Sequence, residues 1–108
     1  MIRWRDLIDR LAWRATDRVR ARVIVKGRMG EGWYDVDRRL ALPKGATLST
    51  LIDEADRRGL RLSDAIAASP HLRDTLMWNG QRTPVEENLA RVVEDGDEIY
   101  LLGPLAGG

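Results

Sequence analysis

Two alternating runs separated by a glycine-rich triplet constrain this chain more than any other feature. In the first, across residues 19–29, Ala21, Val23 and Val25 fall on one side while Arg20, Arg22 and Lys26 fall on the other. In the second, across residues 33–42, Tyr34, Val36, Leu40 and Leu42 share a face. Successive side chains of a strand point to opposite sides, so a period of two is what a half-buried strand requires. Gly30-Glu31-Gly32 between the runs supplies turn chemistry, and the pair reads as a hairpin. Arg38 breaks the apolar side of the second run, which predicts a bulge or an edge position there.

A lone hairpin cannot close a core, and the residues that follow supply its cover. Pro43-Lys44-Gly45 ends the second run, and Thr47 or Ser49 can cap a helix whose apolar face is Leu48, Leu51, Ile52 and Ala55. Gly59 is a natural stop. A second, shorter helix is expected from the cap-like Ser63 through Ala65, Ile66 and Ala67 to about Ser69, ended by Pro70. Leu76-Met77-Trp78 is a short strand leading into Asn79-Gly80, a strong hairpin signal. Residues 84–93 read as a connection, with Leu89, Val92 and Val93 expected in the core. Asp95-Gly96-Asp97 makes a tight turn into a last strand, Ile99-Tyr100-Leu101-Leu102, which Gly103-Pro104 ends. The intervening helix provides a crossover, so the last strand can lie beside the first and parallel to it. The order implies an α+β domain in which a mixed sheet wraps one main helix.

Residues 3–17 differ from the rest. Trp4, Leu7, Ile8, Leu11 and Ala15 follow the spacing of one helical face, with Trp13 off the stripe. Residues 1–28 hold nine basic and three acidic groups, a balance of +6; residues 29–108 hold nine basic and fourteen acidic, a balance of −5. We therefore divide the chain into an N-terminal basic amphipathic helix, residues 1–18, and a domain at 19–108.

The absence of cysteine rules out a disulfide framework, a thiolate zinc site and a cysteine nucleophile. His71, the single histidine, stands beside a proline turn and reads as solvated, so no metal site is expected. No apolar run is long enough to span a membrane, and arginines interrupt the N-terminus where a signal peptide needs an apolar core. Asp6, Asp9 and Asp17 dilute any membrane-surface character of the first helix. The basic residues lack an interleaved aromatic stacking pattern, so no nucleic-acid partner is expected. The chain is expected to act in the cytoplasm.

The sequence closes on Leu105-Ala106-Gly107-Gly108. Two glycines have no Cβ, so such a tail can thread a channel too narrow for other residues. The whole stretch Asp95-Gly96-Asp97-Glu98-Ile99-Tyr100-Leu101-Leu102-Gly103-Pro104-Leu105-Ala106-Gly107-Gly108 resembles the C-terminus of the MoaD/ThiS sulfur carriers. That family ends on an acidic DGDE turn, an apolar strand, a proline and Gly-Gly at this spacing. Asn79-Gly80 and Leu42-Pro43-Lys44-Gly45-Ala46-Thr47 resemble its hairpin and its entry to the central helix. The likeness covers residues 19–108. It departs at Gly103, where the family commonly has proline, at the longer stretch 60–75, and at residues 1–18, which have no counterpart.

The resemblance implies the ubiquitin-like β-grasp fold, a flexible tail at about 103–108 and a specific chemistry. Gly108 would be adenylated at its carboxylate by a partner enzyme of the ubiquitin-activating type that uses ATP. A sulfur donor would then convert the adenylate to a thiocarboxylate, and a sulfur-acceptor synthase would take the sulfur, in cofactor biosynthesis such as that of molybdopterin or thiamine. The chain would itself be a carrier rather than an enzyme, with no bound cofactor. Gly107 would keep the channel passable. Strand alternation turns Ile99 and Leu101 inward and Tyr100 and Leu102 outward; Tyr100, Leu102, Pro104 and Leu105 are the expected partner contacts. Glu94, Asp95, Asp97 and Glu98 read first as a solvated turn, with steering of a basic partner as the alternative. Two other readings keep the same fold: a protein modifier joined through Gly108 to target lysines, and an interaction module with an inert tail.

Overall fold

The alternating runs form two long strands, β1 (Arg18–Met29) and β2 (Gly32–Pro43), paired antiparallel without interruption from Arg18↔Pro43 to Met29↔Gly32. The computed structural model describes residues 18–68 and 76–103. Residues 1–17 of the expected N-terminal helix, His71, Pro104, Leu105, Gly107 and Gly108 lie outside the described residues, whereas Arg18, assigned to that helix from sequence, opens β1. Gly30, at φ +61, and Glu31 make the turn between the strands. The sheet runs β2-β1-β5-β3-β4. Its other members are β3 (Met77–Trp78), β4 (Gln81–Arg82) and β5 (Glu98–Leu102). The last strand is central and parallel to β1, in register from Arg22↔Glu98 to Lys26↔Leu102. Two helices, α1 (Leu48–Arg57) and α2 (Leu62–Ala68), complete an α+β architecture consistent with a β-grasp-like fold.

The inner sheet face and the helices make one core. Val19, Ala21, Val23 and Val25 of β1, Tyr34, Leu40 and Leu42 of β2, and Ile99 and Leu101 of β5 pack on Leu48, Leu51, Ile52 and Ala55 of α1. Leu62, Ala65 and Ile66 of α2 join them, as does Trp78 of β3. Arg38 occupies an inward position in the register, but β2 is an edge strand, so its side chain reaches solvent without a bulge.

The start of α1 satisfies its free N–H groups from two sources. Thr47 is the N-cap and forms a capping box with Thr50. The Leu48 and Ser49 N–H groups donate to the carbonyls of Arg91 and Leu89, each at 3.0 Å. This corrects the reading of the 84–93 connection. Its carbonyls face the helix terminus, and the side chains of Leu89 and Val92 turn to solvent. Val93 is in the core as expected, and Val85 joins it there. The start of α2 is also displaced from expectation. Ser63 lies inside the helix, and its N–H donates to the Asp56 carboxylate at 2.9 Å, as its hydroxyl also does. The cap comes from α1, across a turn held by Gly59 at φ +80.

Candidate functional site

The outer sheet face is built on β1, the second strand in the sheet order. Register places Arg22, Ile24, Lys26 and Arg28 in a row along it. On the β5 side their partners are Glu98, Tyr100 and Leu102; on the β2 side, Arg39, Asp37, Asp35 and Trp33. Ile24 is buried although it lies on this face and outside the main core. Tyr100 is half-buried, and Leu102 keeps 58% of its surface exposed. The outward direction read from alternation therefore describes both residues, and Ile99 and Leu101 are fully buried.

A chain of polar contacts crosses three strands. The Arg22 guanidinium donates to both oxygens of Asp37, Nε to Oδ1 at 2.9 Å and Nη2 to Oδ2 at 2.7 Å. Its Nη1 lies 3.6 Å from Glu98 Oε1. The Tyr100 hydroxyl donates to the other Glu98 oxygen. The bond from Arg22 holds the Asp37 carboxyl below the usual carboxylate value. The bond to Glu98 favours the protonated phenol and raises Tyr100 above its ordinary value of 10.0. The aromatic ring nearest the end of β5 is thus oriented by its own strand and braced, through Arg22, from β2.

Trp33 adds a surface element that the sequence reading passed over. It stands opposite Arg28 at the hairpin end of the same face and is 58% exposed. Its signal was its outward phase in the second alternating run. Trp33, Tyr100 and Leu102 give this face large apolar side chains, of a kind suited to anchoring a protein partner. Lys26 and Arg28 lie between Trp33 and the two β5 residues in register.

Beyond Leu102 the chain leaves the sheet at Gly103. The Gly103 N–H donates to the Lys26 carbonyl at 2.7 Å, one step past the last register pair. A Cβ on Gly103 would lie 2.5 Å from the Arg28 carbonyl oxygen. Gly27, at φ +108, lies between those two β1 residues. The expected partner contacts Tyr100 and Leu102 are therefore brought to the root of the terminal segment. Pro104, Leu105, Gly107 and Gly108 belong to the segment beyond it, outside the described residues.

The acidic turn is exposed at Glu94, Asp95 and Gly96, as a solvated turn would be, but Asp97 departs from that reading. Asp97 is only 8% exposed. Its carboxylate accepts from Trp78 Nε1 at 3.0 Å, Asn79 Nδ2 at 2.8 Å and the Glu94 N–H at 2.8 Å. Burial pushes its pKa up, but these donors and the nearby Arg91 outweigh that and leave it below the usual carboxylate value. Arg91 also stacks on the Trp78 ring, 4.1 Å from its centroid. Asp95 accepts from the Arg20 N–H at 2.8 Å, and Glu98 holds Tyr100. Three of the four acidic side chains are engaged within the domain. A polar groove of about 260 Å³ runs along this end, where Arg20, Arg22 and Arg39 face Asp95, Asp97 and Glu98, so its charges offset one another. Among the described residues no cluster of histidine or carboxylates is arranged to hold a metal, and no helix is long and apolar enough to cross a membrane.

No protein-family model matches the chain, and no curated protein matches it. Among solved structures, it is similar to the solution structure of the Haloferax volcanii HVO 2177 protein, at 19% identity and a TM-score of 0.45. That alignment covers 85% of this chain and 89% of the other. The likeness is too distant to assign anything to this chain.

Proposed function

We propose that this protein is a sulfur carrier of the MoaD/ThiS type, whose Gly108 carboxylate is adenylated by a separate activating enzyme and converted to a thiocarboxylate. The observation that carries the reading is the composition of one strand and its extension. From Glu98 to Leu102, β5 alternates between core and outer face, and the segment that follows it ends in Leu105-Ala106-Gly107-Gly108. A carrier needs a rigid body that a partner can grip and a slender reactive end that the partner can thread. Tyr100, Leu102 and Trp33 supply the grip beside the root of the end, and Gly107 and Gly108 make the end slender. The chemistry belongs to the activating enzyme and the sulfur-acceptor synthase; the carrier's share is placement of its carboxylate.

The test is intact mass of the full chain after incubation with a ubiquitin-activating-type enzyme of the same organism, ATP and a sulfur donor. The expected product gains the mass difference of one oxygen-to-sulfur exchange at the C-terminus. An amide adduct on a lysine of another protein would instead assign the modifier role. An unaltered mass, with no ATP–pyrophosphate exchange, would refute activation at Gly108.

A further inference from the structure

We propose that Gly103 is a positioning residue: it latches the root of the terminal segment onto the backbone of β1 and so sets how far and in which direction the C-terminus reaches. This rests on the sulfur-carrier reading and adds to it a named determinant of reach.

Three observations place the latch. The register of β5 on β1 ends at Lys26↔Leu102, yet the Gly103 N–H donates onward to the Lys26 carbonyl at 2.7 Å. Gly103 then passes so close to β1 that a Cβ would stand 2.5 Å from the Arg28 carbonyl oxygen, 3.3 Å from its carbonyl carbon and 3.4 Å from its nitrogen. These are backbone atoms of a paired strand, which cannot swing aside as the end of a flexible side chain does. Gly27, at φ +108, turns β1 between the carbonyl that accepts the bond and the one that Gly103 touches. A donor is needed at position 103, which excludes proline, and so is the absence of a Cβ, which leaves glycine.

The consequence for reach follows from chain geometry. Residues 104–108 number five, and an extended residue spans roughly 3.3–3.6 Å, so the carboxylate stands at most about 18 Å from the latch. Over so short a lever, a shift at its root is carried to the reacting atom. Misplacement of a reacting group by about 1 Å can cost on the order of 100-fold in rate. The latch lies past the core residues Ile99 and Leu101, so losing it moves the tail without dismantling the sheet.

The test compares the full-length wild type with Gly103→Ala, Leu102→Ala and a chain with one glycine inserted after Gly103. ATP–pyrophosphate exchange by the activating-type enzyme of the same organism is measured against carrier concentration, together with amide hydrogen exchange of the wild type. The wild-type Gly103 amide should be protected at least tenfold over a free chain. Gly103→Ala should lower kcat at least tenfold with KM nearly unchanged, because the gripping face is intact. Leu102→Ala should do the reverse. The insertion keeps the latch but alters reach, so it too should lower kcat, and it decides the matter if Gly103→Ala does not fold. An unprotected Gly103 amide, or unchanged kcat in both the alanine and insertion variants alongside an active wild type, overturns the latch alone. No exchange with the wild type overturns the carrier reading and the positioning role together.

Discussion

Replacing Asp97 should destabilise the domain more than any other single change in the acidic turn, and the geometry sets the order of two variants. The carboxylate accepts three hydrogen bonds from two directions: Oδ2 takes Trp78 Nε1 and the Glu94 N–H, while Oδ1 takes Asn79 Nδ2. Asn79 cannot rotate its amide to compensate, because its own oxygen accepts from the Glu98 N–H at 2.8 Å. Trp78 is fully buried, so its indole N–H would be left with neither protein nor water. Hydrogen bonds to a charged group contribute roughly 1.5–3 kcal/mol each, and stranding a buried donor costs about 1–3 kcal/mol. Because the terms overlap, Asp97→Ala should cost about 3–5 kcal/mol, a large part of the roughly 5–15 kcal/mol that holds a small domain together. Asp97→Asn keeps one oxygen and opposes an N–H to an N–H on the other side, so about 1–3 kcal/mol is expected. Urea denaturation followed by circular dichroism measures both. The folded pKa of Asp97 lies below its ordinary 3.8, so the unfolded chain binds more protons between the two values. Its contribution is present above about pH 3.8 and is lost as pH falls through the folded pKa. The gap between wild type and Asp97→Asn should therefore narrow in acid. A cost below about 1 kcal/mol for the alanine variant, or a gap that widens in acid, would refute the assignment of this turn as a structural tie.

Ile99→Ala and Leu101→Ala, which empty fully buried positions, should each cost about 2–5 kcal/mol in the same assay, and Tyr100→Ala and Leu102→Ala less. Titration of partner binding should rank the two pairs the other way. Thr47→Ala removes the capping box of α1 and should cost about 1 kcal/mol, read as a lower urea midpoint with an unchanged slope. Glu98→Gln should bring the ionisation of Tyr100 down toward 10.0, seen by ultraviolet absorbance in an alkaline titration; no movement would show that the Glu98 carboxylate does not hold the phenol.

The parts of the fold that were legible in the sequence are those in which local patterning and tertiary packing ask for the same thing. The alternation in β1 and β2, the apolar stripe Leu48-Leu51-Ile52-Ala55 and the Asn79-Gly80 turn are of this kind, and each element stands where its pattern places it. The misses involve contacts between residues far apart in the chain. Leu89 and Val92 looked like core because they are apolar, but the helix terminus claims the carbonyls around them. Ser63 looked like a cap, while the cap is Asp56, seven residues earlier and on another helix. Asp97 looked like surface because carboxylates usually are, and only its partners Trp78 and Asn79, nearly twenty positions away, make burial affordable. Arg38 was read correctly as an anomaly. An inward-directed charge on an edge strand is a recognised guard against pairing with another chain, and β2 presents twelve residues of edge. The site was legible only as the alternation of β5; the bracing of Tyr100 and the contact of Gly103 with β1 depend on register.

On the carrier reading, that register ties stability and partner recognition to the same five residues. Odd positions of β5 fill the core, even positions face outward, and the strand enters through the Asp97 tie and leaves through Gly103. Because β5 sits between β1 and β3, Ile99 and Tyr100 are held on both edges, while Leu102 is held by β1 alone. Tyr100 and Leu102 lie on strand rather than loop, so the partner proposed for this face would not have to meet the entropic cost of ordering a loop. The arrangement also separates two kinds of change. Substitution at an even position alters the face while the core packing of Ile99 and Leu101 remains, whereas a shift of one residue in register would exchange the two sets entirely. The tight turn at Asp95-Gly96-Asp97 guards against that shift, since Arg20 donates to Asp95 and Gly96 donates back to the Arg20 carbonyl, both at 2.8 Å. The acidic motif at the start of the strand thus acts on the outer face from a distance, by fixing which side chains reach it.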